Sequence, residues 1–357
     1  MWHPGAMRQG APEDDLPELF DVEQVITCRD DRVGLRAVVA IDDTTLGPGF
    51  GGVRWRPYPS TGAAVAEAQR LARAMTLKHA LAELPYGGAK SVVLADGPLP
   101  APGSPERVAL MERYGDFVAR TAGSYVPGVD MGTTVADMQT IRGRGARAFC
   151  DEVDPGPYTG RGVYAAMRAA VRHALGRGMD GVRVVVQGAG HVGADVARRA
   201  AADGAHLVVA DVDEARARAV AAEVGGEVVA AEAAVTTDCD VLAPCAVARV
   251  LTAPVVGSLR ARVVCGAAND MLDTPEVADL LRDAGVTVVP DFLANAGGVV
   301  QVHAGQAGWS EEHLVARLEA IGDRAAEVLR DADEHGTTPV QAARRRALAR
   351  LTAGGAG

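Results

Sequence analysis

Val182-Arg183-Val184-Val185-Val186-Gln187-Gly188-Ala189-Gly190-His191-Val192-Gly193 runs an apolar segment directly into a Gly-x-Gly-x-x-Gly loop. The β-branched run has the length and character of a buried strand, and the residues after the loop continue as a helix to about Ala202. In that context Gly188 permits a tight turn, Gly190 lets the backbone approach a pyrophosphate, and Gly193 lets the helix pack on the strand. The helix N-terminus adds N–H donors and a dipole that favour phosphate. Asp211 closes the next strand about 20 residues on, where an acid meets the adenosine ribose. The stretch therefore predicts a dinucleotide site with Gly188, Gly190, His191, Val192 and Gly193 at the pyrophosphate and Asp211 at the ribose. No Arg stands immediately beside Asp211, and Asp213 adds negative charge. A 2′-phosphate would be repelled, so the cofactor expected is NAD rather than NADP. The bland alternative is a doubly wound domain whose glycines only make turns.

Outward from that loop the pattern alternates. Strands are expected at 182–187, 206–210, 240–243, 262–265 and 286–289, with helices at 160–176, 191–202, 213–224, 310–335 and 338–351. Such βαβ alternation implies a parallel sheet with helices on both faces. The loop-like 143–158, with Pro155 and Pro157, marks a domain boundary. Before it lies a second α/β pattern. Strands are expected at 35–41, 90–95 and 125–129, and a long helix at 62–84. Turns are expected at Asp42-Asp43, Gly47-Pro48-Gly49 and Gly87-Gly88. Ser104-Pro105-Glu106 opens one helix, and Thr134-x-x-Asp137 opens another with a capping box.

The first half also holds the chain's only lysines, Lys78 and Lys90. They flank Pro85-Tyr86-Gly87-Gly88 in an otherwise apolar, Gly-rich stretch. A helix end, a turn and a strand start can bring two ammonium groups together, and two near cations disfavour each other's charge. A lysine that loses its proton near neutral pH, beside one that keeps it, suits a substrate with a carboxylate that needs proton transfer. The alternative is two solvated surface lysines.

The 357 residues suffice for two ordinary domains. A net charge of −10 argues against nucleic acid as the main partner and for a soluble cytoplasmic protein. Five scattered cysteines with no metal spacing read as free thiols, and no metal site is expected. No apolar run approaches membrane-spanning length. Residues 1–19, rich in Pro, Gly and acid, read as a disordered leader.

The lysine turn, the dinucleotide half and a series of further motifs together resemble the glutamate/leucine/phenylalanine/valine dehydrogenase family. The motifs run in order: Gly47 to Arg54, Leu84 to Lys90, Asp130-Met131-Gly132-Thr133, Gly188 to Gly193, Ala243-Pro244-Cys245-Ala246, Gly266-Ala267-Ala268-Asn269 and Asn295-Ala296-Gly297-Gly298-Val299. The resemblance implies an α/β chain of two domains. The first, 20–155, is an α/β substrate and oligomerisation domain to which 336–357 returns. The second, 156–335, is a Rossmann-type doubly wound domain, and the active site lies in the cleft between them. It also implies a homo-oligomer, at least a dimer, acting on a small L-amino acid.

By the same resemblance, Lys90 is the acid/base that activates water, and Asp130 shares protons with it. Lys78 holds the substrate carboxylate and Gly52 offers backbone contacts. Asn269 and Asn295 position substrate and nicotinamide, while Thr159 and Ala243 lie on the cofactor. Phe50, Gly128, Val299 and Val302 form the side-chain pocket. Glutamate-type members carry a lysine at the position of Phe50, so an acidic side chain would be left unpaired here. Val299 and Val302 suit a branched aliphatic side chain. Phe50 shortens the pocket and Gly128 opens it, as in phenylalanine-type members. Branched-chain oxidative deamination is the expected reaction, with an aromatic substrate the alternative. More remote are a non-catalytic nucleotide-binding regulator and a hydroxy-acid dehydrogenase. The latter would want a histidine–carboxylate pair in the cleft, and no His here has that placement. The shortened, Arg-rich 137–159 and Val302-His303-Ala304-Gly305 depart from the family pattern.

Overall fold

A computed structural model describes residues 18–149, 153–246 and 248–355. Most of the expected leader, 1–17, and Cys150 lie outside those residues. From Glu18 onward the chain is anchored. Leu19–Asp21 forms a short 3-10 turn, Gln69 donates to the Glu18 carbonyl at 2.9 Å, and Arg73 donates to that of Asp21 at 3.0 Å.

The chain divides into two compact units, 1–76 with 85–152, and 77–84 with 153–357. The first contains β1 (Gln24–Asp30), β2 (Leu35–Asp43), β3 (Gly49–Pro57), most of α1 (Thr61–Leu81), β4 (Gly87–Ala95), α2 (Pro105–Ala119), β5 (Tyr125–Val129) and α3 (Val135–Gly143). Its sheet has the order β1-β2-β4-β3-β5. The β1/β2 and β2/β4 pairs are antiparallel, and β3 runs parallel to both β4 and β5. One face packs Leu35, Ile41, Val53, Trp55 and Val93 against Met111, Tyr114, Met138 and Ile141. The other packs Val38, Ala40 and Val92 against Ala64, Val65, Ala68 and Ala72 of α1.

Two features differ from the sequence expectation. Gly87 and Gly88 make no turn; they begin β4. A Cβ on Gly88 would lie 2.1–2.4 Å from Thr76 and the Ala72 carbonyl, and one on Gly87 would lie 1.8 Å from the Asp43 carbonyl. The glycines are small because α1 and the end of β2 lie directly on the strand. Likewise Gly49, expected in a turn, begins β3, a strand the sequence pattern did not predict, which lies between β4 and β5.

The second unit begins with α4 (Gly156–Leu175). It continues through β6 (Arg183–Gln187), α5 (His191–Ala202), β7 (His206–Ala210), α6 (Glu214–Val224), β8 (Glu227–Val228), β9 (Val241–Pro244) and α7 (Ala253–Val256). Then come β10 (Val263–Val264), α8 (Val277–Asp283), β11 (Thr287–Val288), α9 (Asp291–Ala294), α10 (Gly297–Ala307), α11 (Glu311–His335) and α12 (Pro339–Gly354). The strands form one parallel sheet, β11-β10-β9-β6-β7-β8. Its core holds Val185, Val208, Leu242, Val264 and Val288 with Leu251, Met271 and Leu281. The α/β architecture inferred from the alternation is thus observed, with an all-parallel sheet in this unit.

Residues 336–357, expected to return to the first domain, group with the second unit. Gly336 takes a left-handed conformation (φ 62°), and a Thr338–Gln341 capping box starts α12, which then lies along α11. Arg345 donates to Asp331 at 3.0 Å across that contact. No helix among the described residues is long and apolar enough to cross a membrane.

Candidate active site

In the first unit Lys90 sits mid-strand on β4, where the three strands β4, β3 and β5 are in register. Its ammonium lies 2.5 Å from Asp130 Oδ2, and both side chains are largely buried. Asp130 follows β5 directly and is tied back to β3. Its N–H donates to Thr133 Oγ1 (3.0 Å), that hydroxyl lies 2.9 Å from the Val53 carbonyl, and Trp55 N–H donates to the Met131 carbonyl (2.8 Å). Gly52 adjoins the pair: a Cβ there would lie 2.7 Å from Asp130 Cβ, 2.9 Å from the Val129 carbonyl and 3.3 Å from Lys90 Nζ. Tyr125 donates to the Gly51 carbonyl at 3.0 Å and steadies the adjoining peptide.

The electrostatics separate the two groups. Burial lowers the Lys90 pKa below the ordinary lysine value, and the charge and hydrogen bond of Asp130 offset this only in part. Burial pushes the Asp130 carboxyl up, but the charges of Lys90 and Arg54 outweigh it and hold the group well below the usual carboxylate range. The pair therefore combines a fixed carboxylate with a lysine able to release its proton.

Sequence reading gave no role to Arg54, Glu67, Tyr86 or Phe149, which surround this pair and Phe50. Arg54 reaches Asp130 Oδ2 at 3.1 Å and Glu67 at 2.8 Å. Phe50 is buried in a three-ring cluster, with centroids 5.5 Å from Tyr86 and 4.7 Å from Phe149. Gly128 faces it, and a Cβ there would lie 3.1 Å from Phe50 Cε2. Phe149 falls in the stretch read as loop. An aromatic residue in an Arg-rich segment was the one available signal.

In the second unit the glycine loop takes the form its spacing implied. Gly188 has φ 104°, and its N–H donates to the Ala210 carbonyl at 2.7 Å. A Cβ on Gly193 would lie 1.8 Å from the Gly188 carbonyl, so α5 meets the loop at van der Waals distance. A Cβ on Gly190 would meet nothing within 4 Å, and α5 starts at His191 with no side-chain cap. Its first N–H groups can serve an anion. His191 is exposed and pairs with Asp154 at 2.8 Å; Val192 follows it in the first turn. Asp211 accepts from the N–H of Ala189 (2.7 Å) and of Asp213 (2.8 Å), which fixes both carboxylate oxygens. Beside it opens a groove of about 620 Å³ lined by Val212, Glu214, Arg218, Val228 and Glu232 among others. Arg218 in that groove is paired with Glu214. Ala243 is buried in β9.

Asn295, nearly buried at the end of α9, donates to the Ala267 carbonyl (3.0 Å) and to Asn269 Oδ1 (2.9 Å). Its own Oδ1 is buried and finds no partner among the described residues. An acceptor so placed is costly unless a ligand donor meets it. Asn269 is exposed. The next residue, Asp270, has φ 51° and donates its N–H to Asp291 at 2.8 Å. Burial raises the Asp291 pKa, while that N–H and the charge of Lys78 draw it down. Lys78 lies half-buried in the last turn of α1. Thr159 lies inside the first turn of α4, whose N-cap is Pro155, so it is no cap. A Cβ on Gly298 would lie 3.1 Å from its hydroxyl oxygen. Val299 and Val302 are half-buried on α10. No group of three or more His, Cys, Asp or Glu able to hold a metal occurs among the described residues. Cys245 is a packed thiol, raised to about 11 by burial.

Residues 22–146 match the family described as Glu/Leu/Phe/Val dehydrogenase, dimerisation domain, and residues 209–354 match Glutamate/Leucine/Phenylalanine/Valine dehydrogenase. The chain belongs to this family. Leucine dehydrogenase of Bacillus cereus is 35% identical over 94% of this chain and 92% of its own length. Valine dehydrogenase of Streptomyces coelicolor is 38% identical over 96% and 97%. The crystal structure of L-tryptophan dehydrogenase from Nostoc punctiforme superposes with a TM-score of 0.81 at 33% identity, covering 94% of this chain and 97% of that one. The chain is therefore an amino-acid dehydrogenase, with an α/β fold of the family's kind.

Proposed function

We propose that this dehydrogenase carries out the reversible NAD-dependent oxidative deamination of a branched-chain L-amino acid, giving the 2-oxo acid and ammonia. The observation that carries the reading is the buried Lys90–Asp130 pair with its 2.5 Å contact. Gly188, Gly190, His191, Val192 and Gly193 would hold the dinucleotide, with Asp211 at its ribose and Thr159, Ala243 and Asn269 toward its nicotinamide. Bound there, it supplies the hydride acceptor.

The protein's own groups account for the rest. Lys78 holds the substrate carboxylate, and Asp291 favours its charged form. The unmet Asn295 Oδ1 accepts from the substrate amino group. Once the imino acid exists, neutral Lys90 takes a proton from water as the oxygen adds to Cα. It returns that proton to the carbinolamine nitrogen and then takes the hydroxyl proton as ammonia leaves and the carbonyl forms, and Asp130 keeps the lysine oriented and exchanges protons with it. The backbone of Gly52 contacts the substrate beside them. The match to a dimerisation domain supports a homo-oligomer, at least a dimer.

For the side chain, the ring edge of Phe50 already fills the space that Gly128 leaves. Glycine at 128 thus serves Phe50, and the room does not pass to a larger substrate. With Val299 and Val302 as the remaining apolar positions, valine, leucine or isoleucine is favoured over phenylalanine. Glutamate would bring a carboxylate against an apolar cluster. An absorbance assay of NAD reduction with a panel of L-amino acids tests this, and a preference for phenylalanine or glutamate refutes it. Phe50→Ala should raise the phenylalanine-to-valine ratio of kcat/KM by about tenfold or more, since small substrates cannot use the volume released. An unmoved ratio removes Phe50 from the pocket.

Cofactor choice is tested at the exposed Val212. Asp211→Ser with Val212→Arg removes the anion and adds a cation where a 2′-phosphate would lie. The kcat/KM ratio for NADP over NAD should rise by about tenfold, or about 1.4 kcal/mol. A parent that already prefers NADP overturns the assignment of Asp211.

A further inference from the structure

Lys90 and Asp130 are the inner end of a longer row of charges. Lys90 Nζ (2.5 Å) and Arg54 Nε (3.1 Å) meet on the same oxygen, Asp130 Oδ2. Arg54 reaches on to Glu67 of α1 at 2.8 Å, and Glu67 also takes Arg56 and the Tyr58 hydroxyl. Arg54 and Glu67 are mostly buried, with side chains 16% and 14% exposed. Other polar groups close by are the phenols of Tyr114 and Tyr125, which burial keeps protonated. A buried carboxylate left without a cation is strongly unfavourable. If Lys90 were the only partner of Asp130, each proton it released would leave that carboxylate uncompensated, and the lysine would hold its proton tightly. A second cation on the same oxygen removes that obstacle. In the row Lys90–Asp130–Arg54–Glu67–Arg56, the protonated lysine also leaves one positive charge in excess, and the neutral lysine leaves none.

The geometry points to Arg54, held by Glu67, as a positioning residue that keeps the Asp130 carboxylate in place and compensated whenever Lys90 gives up its proton. Arg54 thereby sets the pH at which the lysine can act as a base. This rests on the acid/base role proposed above for Lys90. The two outer groups act with opposite sign: the Arg54 cation lowers the Lys90 pKa and the Glu67 anion raises it. Arg54→Gln should therefore move the Lys90 titration upward, by about one pH unit. Glu67→Gln should move it downward, and Arg54→Lys, which keeps the cation, should leave it near the parent.

Two lysines make the measurement direct, since full-length protein labelled with ¹³C,¹⁵N-lysine gives two side-chain signals, told apart by Lys78→Arg. The expected result is opposite displacement of the Lys90 midpoint in Arg54→Gln and Glu67→Gln, with the acid limb of kcat/KM following it. A Lys90 midpoint that moves in neither variant, or in the same direction in both, overturns the proposal. If Arg54→Gln does not fold, Glu67→Gln decides alone: a downward shift supports the role, and no shift refutes it. A midpoint that moves while the acid limb stays fixed upholds the charge coupling and refutes Lys90 as the base.

Discussion

Lys90→Ala should lower kcat for oxidative deamination by about 10³-fold or more, near the upper part of the range for removing a positioned acid/base. The fold should survive the change. Asp130 keeps Arg54 at 3.1 Å, so its charge stays partly compensated, and the methyl that remains at 90 sits where the apolar strand β4 tolerates it. Nucleotide affinity should stay within about twofold, because Gly188 to Gly193 and Asp211 belong to the other unit. Steady-state kinetics with the preferred amino acid, and fluorescence titration with the dinucleotide, check the two halves. A variant within tenfold of the parent, or one whose loss lies in KM alone, would show that Lys90 binds and does not transfer protons.

What the sequence disclosed depended on how far apart the cooperating residues lie. The dinucleotide loop was legible because its constraints are local. Gly193 must clear the Gly188 carbonyl within one turn, and Asp211 sits at the next strand end. The same holds for the capping box at Thr134 and Asp137 and for the strands of the parallel sheet. Local reading failed where a glycine serves a distant neighbour. Gly49, Gly87 and Gly88 look like turn residues, yet they are small because Ile41 and Ala89, the Asp43 carbonyl, and Thr76 and Ala72 of α1, respectively, press on them. For the same reason no spacing joins Phe50, Tyr86 and Phe149, or Arg54, Glu67 and Asp130. These meet only once the strands are in register. Lys90 and Asp130 stood out as residue types in recognisable motifs, whereas their electrostatic environment did not.

Gly52 gives the second large effect, and it separates chemistry from folding. Adding one methyl there places a carbon 2.7 Å from Asp130 Cβ, 2.9 Å from the Val129 carbonyl and 3.3 Å from Lys90 Nζ. The strand end that carries Asp130 must shift, and a displacement of about 1 Å in a catalytic pair can cost about 10²-fold. Gly52→Ala should therefore lose about 10²-fold in kcat. Its thermal midpoint should fall modestly, because the end of β5 is half exposed and has room to yield. Gly51→Ala is the contrasting case. Its Cβ would lie 1.7 Å from the backbone carbonyl of Ala89 in the middle of the sheet, where no flexible side chain can give way. That variant should lose stability first, by more than the about 1–3 kcal/mol usual for overpacking. Melting curves and kcat measured on the two proteins side by side distinguish the outcomes. If Gly52→Ala melted as low as Gly51→Ala while its folded fraction kept parental kcat, the glycine would serve the sheet and not the lysine–aspartate pair.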